Sequence, residues 1–183
     1  MFEAVEESRA TLLPWLTWAR DEHTSVESSR ASIELFAKAR ERLLDPSLGT
    51  IFGAVTGVFC QQTGVLLGGT GVTRINAAKH IGEIGYWVRQ SRRREGICAR
   101  AAAAMISWCF TPQERGGFGL RRIFLFAAAP NVGSAGVARR LGLNQCALLR
   151  KERFEIGYGW VDTVMWDVLP EEWDTAQHRL TRG

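Results

Sequence analysis

Three runs of strand-forming residues, Ile51 to Cys60, Val65 to Ile75 and Ile81 to Val88, follow one another with only Gln61-Gln62-Thr63-Gly64 and Asn76-Ala77-Ala78-Lys79 as connectors. Connectors this short join antiparallel neighbours, so the runs predict a meander. Downstream the pattern alternates. Gly96 to about Phe110 reads as a helix, Leu120 to Ala128 as a strand, and Asn131 to Leu141 as a shorter helix closed by Gly142. Two last strands, Gln145 to Ile156 and Trp160 to Leu169, turn at Gly157-Tyr158-Gly159. Upstream, Phe2 to Arg9 reads as a helix, and Leu12-Leu13-Pro14-Trp15-Leu16-Thr17-Trp18 is too aromatic and proline-broken for a plain one. Thr24 or Ser25 caps a longer helix through about Leu44, with Ile33, Leu35, Phe36 and Leu43 as its apolar stripe and Asp45-Pro46 as its stop. These elements make an α/β (α+β) fold. At 183 residues and 46% hydrophobic content the chain holds one sizeable core, so a single domain over 1–183 is expected.

Charge narrows the function little. A net charge of +4 and a pI near 9.2 suit nucleic acid and acidic small molecules equally. Cys60, Cys98, Cys109 and Cys146 are scattered, as are His23, His80 and His178, so neither a metal site nor a disulfide framework is indicated. The acidic start Met1-Phe2-Glu3-Ala4-Val5-Glu6-Glu7 does not have the order of a signal peptide, and no run approaches ~18 apolar residues. A cytoplasmic protein without membrane partners is expected.

The informative stretch is Arg89-Gln90-Ser91-Arg92-Arg93-Arg94-Glu95-Gly96-Ile97-Cys98-Ala99-Arg100, where four arginines fall within six residues. An arbitrary charge run is usually a solvated loop. This one lies between a strand and a helix whose first turn holds the small residues Cys98 and Ala99. A helix start presents unpaired N–H groups and a partial positive charge to an anion such as a diphosphate. Gly96 admits the anion close to the backbone, and arginines add forked donors. No Gly-x-x-x-x-Gly-Lys-Ser/Thr is present, and Gly68-Gly69-Thr70-Gly71 falls within a strand pair, so neither a nucleoside-triphosphate loop nor a dinucleotide fold is supported.

Arg93-x-x-Gly96-x-Cys98 resembles the Arg/Gln-x-x-Gly-x-Gly/Ala acetyl-coenzyme A loop of the GNAT N-acetyltransferases, with Cys98 departing from the usual glycine or alanine. Glu83-Ile84-Gly85-Tyr86-Trp87-Val88, the Asn131-x-x-Ser134 pattern with Arg140-Leu141-Gly142-Leu143, and Leu13 to Trp18 are similar to the Rim-type branch, which modifies N-terminal amines of ribosomal proteins. The likeness spans nearly the whole chain. It implies a mixed sheet of about six to seven strands flanked by about four helices, with a V-shaped splay between two parallel strands, here Ile81 to Val88 and Leu120 to Ala128. Relatives begin with a strand ahead of the first helix, so the first strand is expected to be missing, either because the sheet lacks that edge strand or because residues upstream of Met1 supply it.

The resemblance further implies acetyl-CoA as co-substrate, no metal, and a homodimer. It places the cofactor against Trp87, Val88, Arg93, Arg94, Glu95, Gly96, Ile97, Cys98, Ala99, Asn131 and Ser134. Ser134 would bond the cofactor sulfur, and Asn131 would steady the pantetheine arm. The alternative for Ser134 is a helix-cap residue. Gly82 and Gly85 bracket Glu83, which fits a bulge or close backbone approach. Glu83 is the candidate base, directly or through water, against the alternative of an outward strand residue. Trp15, Trp18 and Trp160, like Glu83, are candidates for the acceptor site, against core packing. Glu152 and Glu155 offer charge for a cationic amine, and Met105, Ile106 and Trp108 read as core.

The function expected is acetyl transfer from acetyl-CoA to a primary amine, a protein N-terminus by preference. An α-amine of pKa about 7.7–8.0 needs little help, whereas a lysine at about 10.4 needs ~3 kcal/mol more to be neutral. A detoxifying acetyltransferase for a small amine or aminoacyl antibiotic shares every feature. Readings of another class are an RNA- or ribosome-binding module, with salt-sensitive affinity, and a non-catalytic acetyl-CoA sensor. No nucleic-acid partner is expected except through a ribosomal substrate.

Overall fold

The computed structural model describes residues 1–41, 50–51 and 53–173. Its elements are α1 (Phe2–Leu12), α2 (Trp18–Asp21), α3 (Val26–Glu41), β1 (Thr50–Ile51), β2 (Val55–Phe59), β3 (Leu66–Asn76), β4 (Ile81–Val88), α4 (Ile97–Phe110), β5 (Arg122–Ala128), α5 (Val132–Arg140), β6 (Asn144–Glu155) and β7 (Gly159–Val168). Single 3-10 turns at Gln90–Arg92 and Gln113–Arg115 flank α4. Ser25 opens α3 as expected: the Ser28 amide donates to Ser25 Oγ and the Ser25 amide to Ser28 Oγ, each at 3.0 Å. Leu43, Leu44 and the stop at Asp45-Pro46 lie outside the described residues. Ile33 and Leu35 stay exposed on α3, so they are not the buried stripe the sequence suggested.

The seven-stranded sheet runs β1-β3-β4-β5-β7-β6, with β2 also paired to β3. β2, β3 and β4 form the expected antiparallel meander. The run expected as one strand from Ile51 is instead two pieces, β1 opposite Ile75 and Asn76 and β2 opposite Leu66 to Gly71. The glycines of β3 allow close strand packing, since a Cβ on Gly68 would sit 2.2 Å from the Trp87 carbonyl oxygen.

Alternation along β4 sends Ile84 and Tyr86 to one face and Glu83, Gly85 and Trp87 to the other. The first face carries the core: Val72, Ile84 and Ile123 pack with Ile106 and Cys109 of α4 and Leu141 after α5. Met105 is buried and Trp108 packs against this cluster, as expected. The other face is covered by the segment through α1 and α2, where Trp18 meets Trp87 edge-on at 5.9 Å. Gly142, at φ +73°, ends α5 in the left-handed conformation that glycine adopts without cost.

Candidate active site

The arginine loop is a built structure anchored from α1. Glu7 accepts from Arg89 Nε at 2.8 Å and from the Ser91 amide at 2.8 Å, and lies 2.7 Å from Arg89 Nη2. Ser8 Oγ accepts from the Gln90 amide at 2.9 Å. Arg92 makes a forked pair with Glu95, both bonds 2.8 Å. Two of the four arginines are thus committed within the fold. Arg93 and Arg94 are exposed and make no ion pair among the described residues.

Bonds from Ser91 and Arg89 hold the Glu7 carboxyl below the usual carboxylate range. A depressed value means the stabilisation is present above the ordinary carboxylate range and lost as pH falls through the depressed value. Glu7 is 31% exposed, so solvent screens much of it. Glu7→Gln is expected to lose about 1 kcal/mol in denaturant unfolding at neutral pH, and none in acid.

The loop delivers the chain to α4 through Arg94 at φ +66° and Gly96 at φ +72°. No side chain caps α4. The first-turn amides after Gly96 are therefore directed outward, with Arg93 near enough to Cys98 to bear on its thiol. Burial nevertheless pushes Cys98 up to about 11. Its small neutral side chain leaves the turn accessible, which suits the residue found where the related motif has glycine or alanine. An uncapped helix start beside two uncommitted arginines fits a diphosphate.

The splay lies immediately upstream. β4 and β5 pair in parallel only over Ile81–Glu83 with Arg122–Phe124. Beyond Glu83 and Phe124 the two strands separate, and β5 continues against β7 to Ala128. The gap between them runs from Glu83 toward the α4 turn.

Glu83 lies at the apex of the splay. Its side chain is 17% exposed, and Arg74 Nη1 is 3.1 Å from Oε2. The geometry is not that of a hydrogen bond, and this buried oxygen has no hydrogen-bond partner. Burial raises the Glu83 pKa, and the positive charges of Arg74 and Arg153 oppose the rise. The bulge suggested beside Glu83 falls instead on β3, between Thr73 and Asn76, where Arg74 has φ +46°. Gly82 packs tightly, its Cβ position 2.6 Å from Val72 Cγ2, whereas a Cβ on Gly85 would meet open space.

The face of Glu83 continues across β7 onto β6. Thr163 Oγ1 donates to Glu152 Oε2 at 2.7 Å, and Arg153 lies opposite Val161. A register shift between Leu149 and Arg153, with Lys151 at φ +48°, lets the consecutive residues Glu152 and Arg153 reach the same face. Bonds from Thr163 and Arg153 lower the Glu152 pKa, while burial raises that of Glu155. Trp15 roofs this side, its ring 4.9 Å from that of Tyr158. Trp18 packs between His23 and Trp87.

Trp160 does not join them. It is 61% exposed, packs against Phe154, and points to the strand face opposite Val161 and Thr163. Trp160 and Glu83 thus lie on opposite faces of the sheet.

Asn131 caps α5, its Oδ1 accepting from the Ser134 amide at 3.1 Å. The local helix-cap bond thus belongs to Asn131, which leaves the Ser134 hydroxyl available for another partner. Tyr86, not singled out as a site residue in the sequence, lies with its Oη 3.1 Å from Ser134 Oγ. Its strand position marks it as inward-facing, but nothing local tells that it spans the splay to α5. Arg74, Arg153, Glu7 and Ser8 were missed likewise, because each acts across elements distant in sequence.

Residues 3–144 match the family model described as an acetyltransferase (GNAT) domain. The chain belongs to this acetyltransferase family, and acetyl-CoA is its co-substrate. No curated protein matches it at a significant level. Among solved structures, a ribosomal α-N-protein acetyltransferase, RimL, in complex with coenzyme A aligns with a TM-score of 0.76 at 21% identity, over 92% of this chain and 85% of that one. RimJ of Mycobacterium smegmatis in complex with a coenzyme A disulfide aligns at 0.74 and 23%, over 99% and 81%. The microcin self-immunity acetyltransferase MccE in complex with acetyl-CoA and AMP aligns at 0.75 and 14%, over 92% and 84%. Among the described residues no group of His, Cys, Asp and Glu is arranged to hold a metal, and no helix is long and apolar enough to cross a membrane.

Proposed function

We propose that the protein transfers an acetyl group from acetyl-CoA to a primary amine, by preference the α-amine of a protein N-terminus, with Glu83 as base and Ser134 as the donor to the departing sulfur. The observation that carries this reading is the buried oxygen of Glu83 at the apex of the splay, ion-paired with Arg74 and without a hydrogen bond. When bound, acetyl-CoA supplies an activated thioester, and the residues of the chain do the rest. Arg93, Arg94 and the α4 amides hold the diphosphate. The separated edges of β4 and β5 position the arm. Glu83 takes the ammonium proton, directly or through water, and burial makes it a stronger base than a solvated carboxylate. The Ser134 hydroxyl faces the sulfur as the C–N bond forms and the C–S bond breaks.

The acceptor face favours a low-pKa amine. Glu83 is checked by Arg74 and Arg153, so it is a modest base, sufficient for an α-amine and weak for a lysine. The test is a panel of peptides with free α-amines, peptides with blocked N-termini and one lysine, and polyamines. Acetylation confined to free α-amines supports the reading, and preference for a polyamine or lysine overturns it. The likeness to MccE supports a second reading, a small aminoacyl acceptor, which the same panel detects when aminoacyl nucleotides are added.

A thiol is acidic enough to leave as its anion without an obligatory acid. Ser134→Ala is therefore expected to lower kcat about tenfold with the KM for acetyl-CoA little changed. Complete inactivation of a folded variant would contradict this role.

A further inference from the structure

Ser134 does not act by itself. Tyr86 Oη lies 3.1 Å from Ser134 Oγ and 3.1 Å from the Ser134 carbonyl oxygen, so a phenol from β4 bridges the splay to the first turn of α5. The phenol has one proton, and the carbonyl only accepts. Two arrangements follow. In one, Tyr86 donates to the carbonyl and the serine hydroxyl donates to the phenol oxygen, so the serine proton is already committed. In the other, Tyr86 donates to Ser134 Oγ, and the serine proton is available to the cleft. A charge-assisted hydrogen bond is roughly twice as strong as a neutral one, so negative charge on a sulfur in front of Ser134 selects the second arrangement.

We propose that Tyr86 is a positioning residue for the leaving group, donating to Ser134 Oγ and thereby turning the serine proton onto the coenzyme sulfur. This rests on the placement of Ser134 at that sulfur. The relay stabilises the thiolate and transfers no proton. A thiolate is far too weak a base to take one from a serine, and a phenol, ordinarily about 10, is no stronger an acid than the thiol. Burial moves Tyr86 further in the same direction. Cys98 of α4 also bears on the phenol, and because burial pushes its thiol up to about 11, it brings no negative charge to compete for the phenol proton. The ring packs against the core cluster, so the hydroxyl is held at a fixed depth in the cleft.

The test titrates the thiol of bound coenzyme A by the ultraviolet absorbance of its thiolate. Subtracting the desulfo-coenzyme A complex cancels the protein's own cysteines and tyrosines. In the wild type the bound thiol is expected about one unit below that of free coenzyme A titrated in the same way, as a charge-assisted donor requires. Tyr86→Phe and Ser134→Ala are each expected to reverse at least about half of that shift, and the double variant to add nothing to Ser134→Ala. Transfer kinetics should follow, with kcat for Tyr86→Phe several-fold lower and the KM for acetyl-CoA within about twofold.

A Tyr86 that serves only as a strut to the Ser134 carbonyl leaves the bound thiol unmoved in Tyr86→Phe, or changes it equally with and without the serine hydroxyl. Either result overturns the relay. Failure of the underlying placement has its own signature: Ser134→Ala binds coenzyme A with an unchanged thiol value, which removes Ser134 from the sulfur and the relay with it.

Discussion

Gly96→Glu is expected to abolish measurable acetyl-CoA binding, a loss of at least about a hundredfold in affinity, while the protein still folds. Gly96 adopts φ +72° immediately before an uncapped helix, a conformation that costs a non-glycine residue roughly 1–2 kcal/mol. The new carboxylate stands where the α4 amides and the exposed Arg93 and Arg94 are proposed to attract a diphosphate, replacing an attraction with a like-charge clash. Calorimetry on both proteins reads the difference directly. Gly96→Ala separates strain from charge: a Cβ there meets only Arg100 Nη1, at 3.1 Å, the far end of a flexible side chain. The alanine variant should bind more weakly than wild type by a smaller factor, and equal affinity of the glutamate variant and wild type would remove the diphosphate from this turn.

Glu83→Gln carries the second large effect. A positioned base contributes typically about 10²–10⁴-fold, and an α-amine near neutrality sits at the low end, so kcat/KM is expected to fall about a hundredfold. The pH profile distinguishes a base from a binding contact. Activity in the wild type should decline as pH falls through the raised Glu83 value, and this acidic limb should disappear in the glutamine variant. Stability should move oppositely. A carboxyl whose folded pKa is raised favours the folded state fully below the ordinary carboxylate range, and that advantage is lost as pH rises through the raised value. Glu83→Gln should therefore melt higher than wild type at neutral pH, and the two curves should converge in acid. A variant slower at every pH in the same proportion, with no gain in stability, would make Glu83 a strand residue and not a base.

The chain's local chemistry carried much of this architecture. The meander was legible because Gln61 to Gly64 is too short for anything but a hairpin, whereas the parallel step and its splay came from the family resemblance alone. Gly96 marked the turn from strand to helix, since strand, glycine and small-residue helix are all read locally. What pairs across the molecule was not legible. Nothing near Glu7 says that it braces Arg89 and Ser91, and nothing near Tyr86 says that its phenol reaches Ser134. The fate of the arginines followed from those distant contacts: sequence supplied four charges, and the fold committed Arg89 and Arg92 to carboxylates while leaving Arg93 and Arg94 exposed. Which face of β7 Trp160 occupies was not legible either, because the adjoining bulge in β6 hides that register.

The open space at Gly85 and the buried carboxylate at Glu83 lie on one face of β4, and the Tyr86 phenol lies on the other. On the proposed mechanism the strand separates work on the incoming amine from work on the departing sulfur, and the splay joins the two. A crystal structure with coenzyme A bears on this arrangement most directly. It should show the diphosphate on the main-chain amides following Gly96, the arm between β4 and β5, and the sulfur within hydrogen-bond distance of Ser134 Oγ. Coenzyme A bound elsewhere, or with its sulfur remote from the apex at Glu83, would contradict the account.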